Sequence, residues 1–439
     1  MHVRRVVRAR RRAATALAVT ALLGAAVVAA GPAGAAPNKA AKKAPAAAPS
    51  CSAAYRIEQT VDGGTTWRMC WRYDSTMGLI LDNISYQPKN EPKPIAVLTD
   101  ARLAQVHVPY DDGENEYQDM TEASMMSNLL PLKPGDCPGG TLKTVGVDGQ
   151  NVKGGLCTTT RARGHAYHLY NDESTGGNGK TYSAQAKDLL VYTVNKASWY
   201  EYITEWRFSS DGTITSNVGA TGSLSPYDYN GTDGKGWPIG KGARDYAESH
   251  SHNVFWRLNF GLDGSSKSKV EQYDSKVTAP SGRGNPKTKT TRTPVTKELA
   301  GDAKGARWWR VVSTAGKNKD GHPRSYEIVP GHTVKFPGRS YTSHDVYFTQ
   351  YKKCEEYASD NLTENCGPKS VDKWVNGQTL THPITWVNIG FHHIARDEDQ
   401  QPMPVHWQGF SLAPRDVTAM NPLTPADLAN QNGNTQGGS

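Results

Sequence analysis

Within His250-Ser251-His252-Asn253-Val254-Phe255-Trp256-Arg257-Leu258-Asn259-Phe260-Gly261-Leu262, every second residue is a histidine or a large apolar group. A strand turns successive side chains to opposite faces, so His250, His252, Val254, Trp256, Leu258, Phe260 and Leu262 share one side. Two further segments read the same way. Over 385–393 one face carries Val387, Ile389, Phe391 and His393, and over 199–208 one face carries Tyr200, Tyr202, Thr204, Trp206 and Phe208. Helical periodicity is scarce, and Gly, Pro, Asn and Asp turns such as Ser209-Ser210-Asp211-Gly212 separate the alternating runs. The pattern predicts a mainly β protein with one large domain over 51–425 and no internal repeat. The stretch 275–296, rich in Lys, Thr, Pro, Ser and Gly, reads as a long exposed loop or arm.

The histidines end apolar, core-facing rows, and buried polar groups need partners. A His-x-His unit puts two imidazoles on one side of a strand, about 7 Å apart along the backbone. A third ligand must then come from another segment. Three neutral imidazoles with open positions suit copper(II) or zinc rather than calcium or magnesium. Taken alone the motif is weak: among 13 histidines, a surface pair or a satisfied core histidine explains it as well.

The ends of the chain account for its charge. Arg4, Arg5, Arg8, Arg10, Arg11 and Arg12 precede an apolar run from Ala13 to Ala30, and Ala33-Gly34-Ala35 follows. This predicts a signal segment over 1–36, removed on export, with no membrane anchor left behind and either general or twin-arginine secretion. An Ala/Pro/Lys linker occupies 37–50, and 426–439 reads as a disordered tail. The net charge of +8 lies in these leading segments, which hold six arginines and three lysines, so the body is near −1. A nucleic-acid binder would keep a basic patch in its folded part, so no nucleic-acid partner is expected. Six cysteines follow the signal segment and fall into three sequence-local couples, Cys51–Cys70, Cys137–Cys157 and Cys354–Cys366. An even number in an exported chain suggests disulfides.

The ordered motifs resemble those of the copper-containing amine oxidases, which use topaquinone. Gly78-Leu79-Ile80-Leu81 is similar to the entry into their catalytic β-sandwich. Val108-Pro109-Tyr110 is similar to a Val-Pro-Tyr whose tyrosine hydrogen-bonds the quinone, which gives Tyr110 that role. Tyr117-Gln118-Asp119 is similar to Tyr-Phe-Asp, which makes Asp119 the catalytic base and Tyr117 the channel gate. Leu189-Leu190-Val191 followed by Tyr200-Glu201-Tyr202 keeps the spacing of the cofactor strand and makes Tyr200 the topaquinone precursor. There Lys196 replaces Ser or Thr, and Trp199 replaces Asn. His250-Ser251-His252 and Gly390-Phe391-His392-His393, with Glu398-Asp399, resemble the copper segments and make His250, His252 and His393 the ligands. Cys137 and Cys157 fall where the family has a disulfide. Asn259-Phe260-Gly261 stands where many members have a calcium-binding Asp-x-Asp, so that site is not expected.

The resemblance covers the catalytic domain and implies a large two-sheet β-sandwich, a homodimer, and copper(II) with topaquinone derived from Tyr200. It also implies a secreted, extracellular primary-amine oxidase that takes an amine and O2 to an aldehyde, ammonia and hydrogen peroxide. Asp119 would work in an apolar pocket that raises its pKa. Trp199 motivates an alternative, a secreted copper-binding relative in which Tyr200 stays unmodified. A β-sandwich module for polysaccharide ligands is a third reading, which 11 tryptophans and 20 tyrosines permit. The residues do not select one amine.

Overall fold

The computed structural model describes residues 51–226, 236–242 and 245–428. The expected signal segment and linker, and residues 429–439 of the expected tail, lie outside the described residues. Ordered structure continues past 425: Ala426–Leu428 forms a 3-10 turn, Leu428 is buried, and Asp427 accepts a hydrogen bond from Tyr182 at 2.7 Å.

Two antiparallel sheets dominate the described residues. The first runs Arg56–Val61, Thr65–Asp74, Gly78–Gln87, Ile95–Pro109, His250–Phe260, Pro383–His393, Val346–Gln350 and Leu299–Gly301 in spatial order, with Glu116–Gln118 paired to Ile95–Pro109. The second runs Asn285–Val295, Lys269–Ser281, Arg307–Lys317, Pro323–Pro330, Met403–Arg415, Ile214–Gly222, Tyr200–Ser209, Thr181–Ala197, Gln150–Tyr170 and Thr141–Val147. This is the expected two-sheet architecture. Among the described residues the helix content is a four-residue α-helix, Val371–Trp374, plus isolated 3-10 turns.

The core forms where the inner faces meet. Trp67 on the first sheet packs against Phe208 on the second at 5.2 Å, Trp256 against Phe410 at 5.2 Å, and Phe348 against Trp309 at 6.3 Å. Polar ties cross the same gap. The Trp67 indole donates to the Ser209 carbonyl at 2.9 Å, and the Thr65 hydroxyl donates to the Ser210 carbonyl at 2.8 Å. Donor and acceptor are thus satisfied out of water, and the indole area is removed from it.

The strand His250–Phe260 is buried along its whole length, on both faces. Val254, Trp256, Leu258 and Phe260 face the main core, as the alternation predicts. The other face is also covered: Phe255 packs in a smaller cluster with Ala104, Tyr347, Trp374 and Trp386. A central strand flanked by two others and covered on both faces leaves its backbone little freedom to shift.

The 275–296 segment is exposed, as expected, but it is not a loop. Lys269–Ser281 and Asn285–Val295 pair as an antiparallel hairpin, with a register shift between Thr278 and Ser281, that extends the second sheet. Its threonines favour the pleated conformation, and the glycines Gly282 and Gly284 at positive φ make the turn. All three cysteine couples form disulfides with the expected partners.

Trp309 is fully buried far from the histidines, and a side chain on neighbouring Gly301 would meet it at 2.5 Å. Trp309→Ala should therefore leave a cavity and cost about 3–5 kcal/mol of stability. A urea unfolding titration checks this; an unchanged midpoint would contradict the packing described.

Candidate metal centre and precursor tyrosine

Antiparallel pairing brings the third histidine to the first two. In the register between His250–Phe260 and Pro383–His393, His250 lies directly opposite His393. One candidate ligand atom from each of His250, His252 and His393 falls within 4.8 Å of the others. Burial pushes the His250 imidazole down to about 3, with the neighbouring His393 adding to the effect, and holds His252 well below its ordinary value. Both are therefore neutral near pH 7, as ligands must be.

The far nitrogens of two rings are fixed by acceptors. His393 Nε2 donates to Asp399 Oδ2 at 2.9 Å, and His250 Nδ1 faces the Glu248 carbonyl at 3.4 Å. Their near nitrogens, His393 Nδ1 and His250 Nε2, thus present lone pairs. Burial pushes Asp399 up, but its bonds to His393 and to the Arg396 backbone outweigh this and hold it below the usual carboxylate range. Among the described residues, His252 Nε2 is buried with no hydrogen-bond partner. Three lone pairs therefore converge on one spot, and a single phenol proton faces them. A buried nitrogen without a donor is costly, and a cation removes that cost. Three imidazoles in this arrangement suit copper(II) or zinc.

Tyr200 supplies that phenol. It opens its strand directly after a two-residue turn, Ser198-Trp199, in which Ser198 takes a φ of 53°. Its hydroxyl lies 2.8 Å from both His250 Nε2 and His393 Nδ1. Its ring stacks on Tyr202 at 5.7 Å. Burial, with smaller contributions from Tyr110, Asp399 and Asp119, holds the Tyr200 phenol well above its ordinary pKa. It stays protonated unless a cation withdraws charge from it.

Asp119 is buried, and burial raises its pKa to about 7 against a hydrogen bond from Tyr202 that lowers it. The Tyr202 hydroxyl also lies 3.1 Å from His252 Nδ1. Tyr202 therefore bridges the carboxylate and a candidate ligand. The Tyr110 ring stacks on His250 at 4.6 Å, and its hydroxyl accepts the Trp199 indole N–H at 3.1 Å. Tyr117 sets its edge against both Tyr110 and Trp199, at 5.9 and 5.8 Å. The fold thus gathers Tyr110, Tyr117, Asp119, Tyr200, His250, His252 and His393 in one place. Cys137 and Cys157 lie apart from it, and their disulfide belongs to a separate small cluster with Leu190 and Tyr192. Lys196 is exposed, opposite Glu201 across the strand pair.

The enzyme domain of the copper amine oxidases matches residues 64–432. The chain belongs to the copper amine oxidase family. It is 24% identical over 402 residues to amine oxidase [copper-containing] gamma 1 of Arabidopsis thaliana, covering 81% of this chain and 56% of that one. It is 27% identical over 396 residues to histamine oxidase of Arthrobacter globiformis, covering 81% and 55%. The fold is similar to that of the copper-containing benzylamine oxidase from Hansenula polymorpha, with a TM-score of 0.70 at 21% identity over 83% of this chain and 62% of that one. It is also similar to Pichia pastoris lysyl oxidase, with a TM-score of 0.66 at 18% identity, covering 81% and 52%. The chain thus spans little more than half the length of these curated relatives.

Two contributors to this family member's site escape the sequence reading. Tyr202 carries a local signal, since it lies two residues from Tyr200 on the same face. Asp399 carries little, because it reaches His393 only through the turn at Asp397–Asp399. If Asp399 orients His393, Asp399→Asn should weaken copper binding about 10–100-fold. Competition titration against a chelator checks this, and an unchanged affinity would remove Asp399 from the centre.

Proposed function

We propose that the protein is a secreted, copper- and topaquinone-dependent primary-amine oxidase that converts a primary amine, O2 and water to an aldehyde, ammonia and hydrogen peroxide. One observation carries this reading: the Tyr200 hydroxyl lies 2.8 Å from two nitrogens of a three-histidine centre, and the stacked Tyr202 links that centre to a buried carboxylate. His250, His252 and His393 would hold copper(II). Topaquinone, made from Tyr200, would supply a carbonyl that condenses with the amine and draws electrons from its α-carbon.

The chain's own groups supply the rest. Asp119 takes the proton from the amine-bearing carbon. Its pKa near 7 leaves a substantial anionic fraction at neutral pH together with a useful affinity for the proton. Tyr202 steadies that anion with its hydrogen bond. Tyr110 and Trp199, joined by the indole N–H, wall the site beside His250. The basic head followed by an apolar run, together with three disulfides, supports export. The exposed hairpin supports an arm between subunits of a homodimer.

A second reading, a copper-binding relative with Tyr200 unmodified, is favoured by Trp199. This bulky residue occupies the expected asparagine position and is bonded to Tyr110. Peptide mass analysis of copper-loaded, aerated protein separates the two. Topaquinone adds two oxygens and removes two hydrogens at Tyr200, and an unmodified Tyr200 would sink the oxidase reading.

The base assignment has its own pH signature. Below about pH 7 Asp119 is protonated and cannot accept a proton, so kcat/KM should rise with pH through that value and level off above it. Asp119→Asn should keep copper and the modified Tyr200 while lowering turnover at least ~100-fold. Near-normal turnover in that variant would exclude Asp119 as the base.

A further inference from the structure

The strand that presents Asp119 is short. Among the described residues, Glu116–Gln118 pairs only with Ile95–Pro109, through His107↔Gln118, Val108↔Tyr117 and Pro109↔Glu116. Past its end, the Asp119 N–H donates to the Val106 carbonyl at 2.9 Å. Three ladder positions on one side are a weak hold for a group that must meet a substrate carbon within a few tenths of an ångström.

Alternation divides the segment between two faces. Tyr117 and Asp119 turn toward the tyrosines of the site, while Glu116 and Gln118 turn to the outer face of the sheet. There both are gripped by one short segment. Arg339 donates through Nε to Glu116 Oε1 at 2.7 Å and through Nη2 to Glu116 Oε2. Gln118 Nε2 donates to the Tyr341 hydroxyl at 2.9 Å, and the Ser359 hydroxyl donates to Gln118 Oε1 at 2.8 Å.

The grip continues to the copper-ligand strand. His107 is fully buried, with Tyr341 and Phe336 packed near its ring at 5.2 and 5.9 Å. Its Nε2 lies 2.5 Å from Glu116 Oε1, and its Nδ1 lies 3.3 Å from Asn253 Nδ2. An amide nitrogen only donates, so His107 Nδ1 accepts and its Nε2–H is given to Glu116. Asn253 directly follows His252, and its Oδ1 accepts the Phe336 N–H at 3.3 Å, so the network returns to the Arg339 segment. Hydrogen bonds from His107 and Arg339 pull Glu116 down to about 2, which keeps it ionised.

We propose that Arg339, acting through Glu116 and His107, is a positioning residue for Asp119, tying the strand that presents the base to the strand that presents His252. The proposal rests on the oxidase reading for its catalytic consequence but not for its structural one. Arg339 reaches no group of the site itself. It sets how the base stands relative to the metal centre from the opposite face of the sheet.

The test compares full-length copper-loaded protein with Arg339→Ala, Arg339→Lys and Glu116→Gln. For Arg339→Ala and Glu116→Gln, amide hydrogen exchange over residues 117–119 should speed up at least ~10-fold, with copper stoichiometry and the Tyr200 mass unchanged. Amine turnover should lose about 10–100-fold in kcat with KM little altered, and Arg339→Lys should recover part of it. Unchanged exchange and kcat in Arg339→Ala overturn the proposal. Loss of copper together with kcat also overturns it, since the effect would then reach the site through the metal strand. If Arg339→Ala does not fold, the near-isosteric Glu116→Gln carries the decision. If wild-type Tyr200 proves unmodified, the oxidase reading fails by itself, and exchange at 117–119 still decides whether the clamp holds the base segment.

Discussion

The pairing of His250–Phe260 with Pro383–His393 is the constraint on which the site depends. One register places His393 opposite His250, and a slip of one residue would turn every side chain of the strand to the other face. The register is held because both faces of the central strand are buried, by Trp256 on one side and Phe255 on the other. A slip would exchange indole and phenyl between two filled cavities and place the histidines in the outer cluster. The packing that stabilises the sheet is therefore also what assembles the three nitrogens.

Around those nitrogens the protein opposes two kinds of environment. His250 and His252 are kept neutral by burial, and among the described residues His252 Nε2 has no hydrogen-bond partner. Asp119 is pushed toward neutrality by the same burial, yet a Tyr202 hydrogen bond keeps its anion accessible near pH 7. Tyr202 touches both sides of this arrangement. Groups with opposed protonation demands, joined by one hydroxyl, are what a site needs in order to hold a cation and move a proton a few ångströms away.

The outer face of the first sheet contributes more than cover. Its cluster of Tyr347, Trp374 and Trp386 supports the back of the strands that carry the three histidines, and the Arg339 segment grips Glu116 and Gln118 behind Asp119. Trp199 is the chief departure from the family pattern, and the fold gives it a partner: its N–H satisfies Tyr110, and its ring fills space between Tyr110 and Tyr117. A polar amide is thus replaced by a larger group that still donates one hydrogen bond.

Much of this was legible in the sequence. Period-two alternation is local, so it marked the three site strands and the faces their side chains share. The short spacings within each cysteine couple pointed to the disulfides that form. The ordered motifs named Tyr110, Tyr117, Asp119, Tyr200 and the three histidines. The 275–296 stretch was recognisable as exposed, but its strand pairing was not, because a polar ribbon carries no buried face to betray its period. Contacts between elements were beyond reach. Asp399 behind His393, Tyr202 between Asp119 and His252, and Arg339 behind Glu116 join residues up to 223 positions apart. The sequence by itself determined which side chains could do the chemistry and on which strand faces they stand, since those follow from residue type and local geometry. Only the tertiary structure decided their protonation, their tautomers and their distances, because these depend on what neighbouring strands bury and bond.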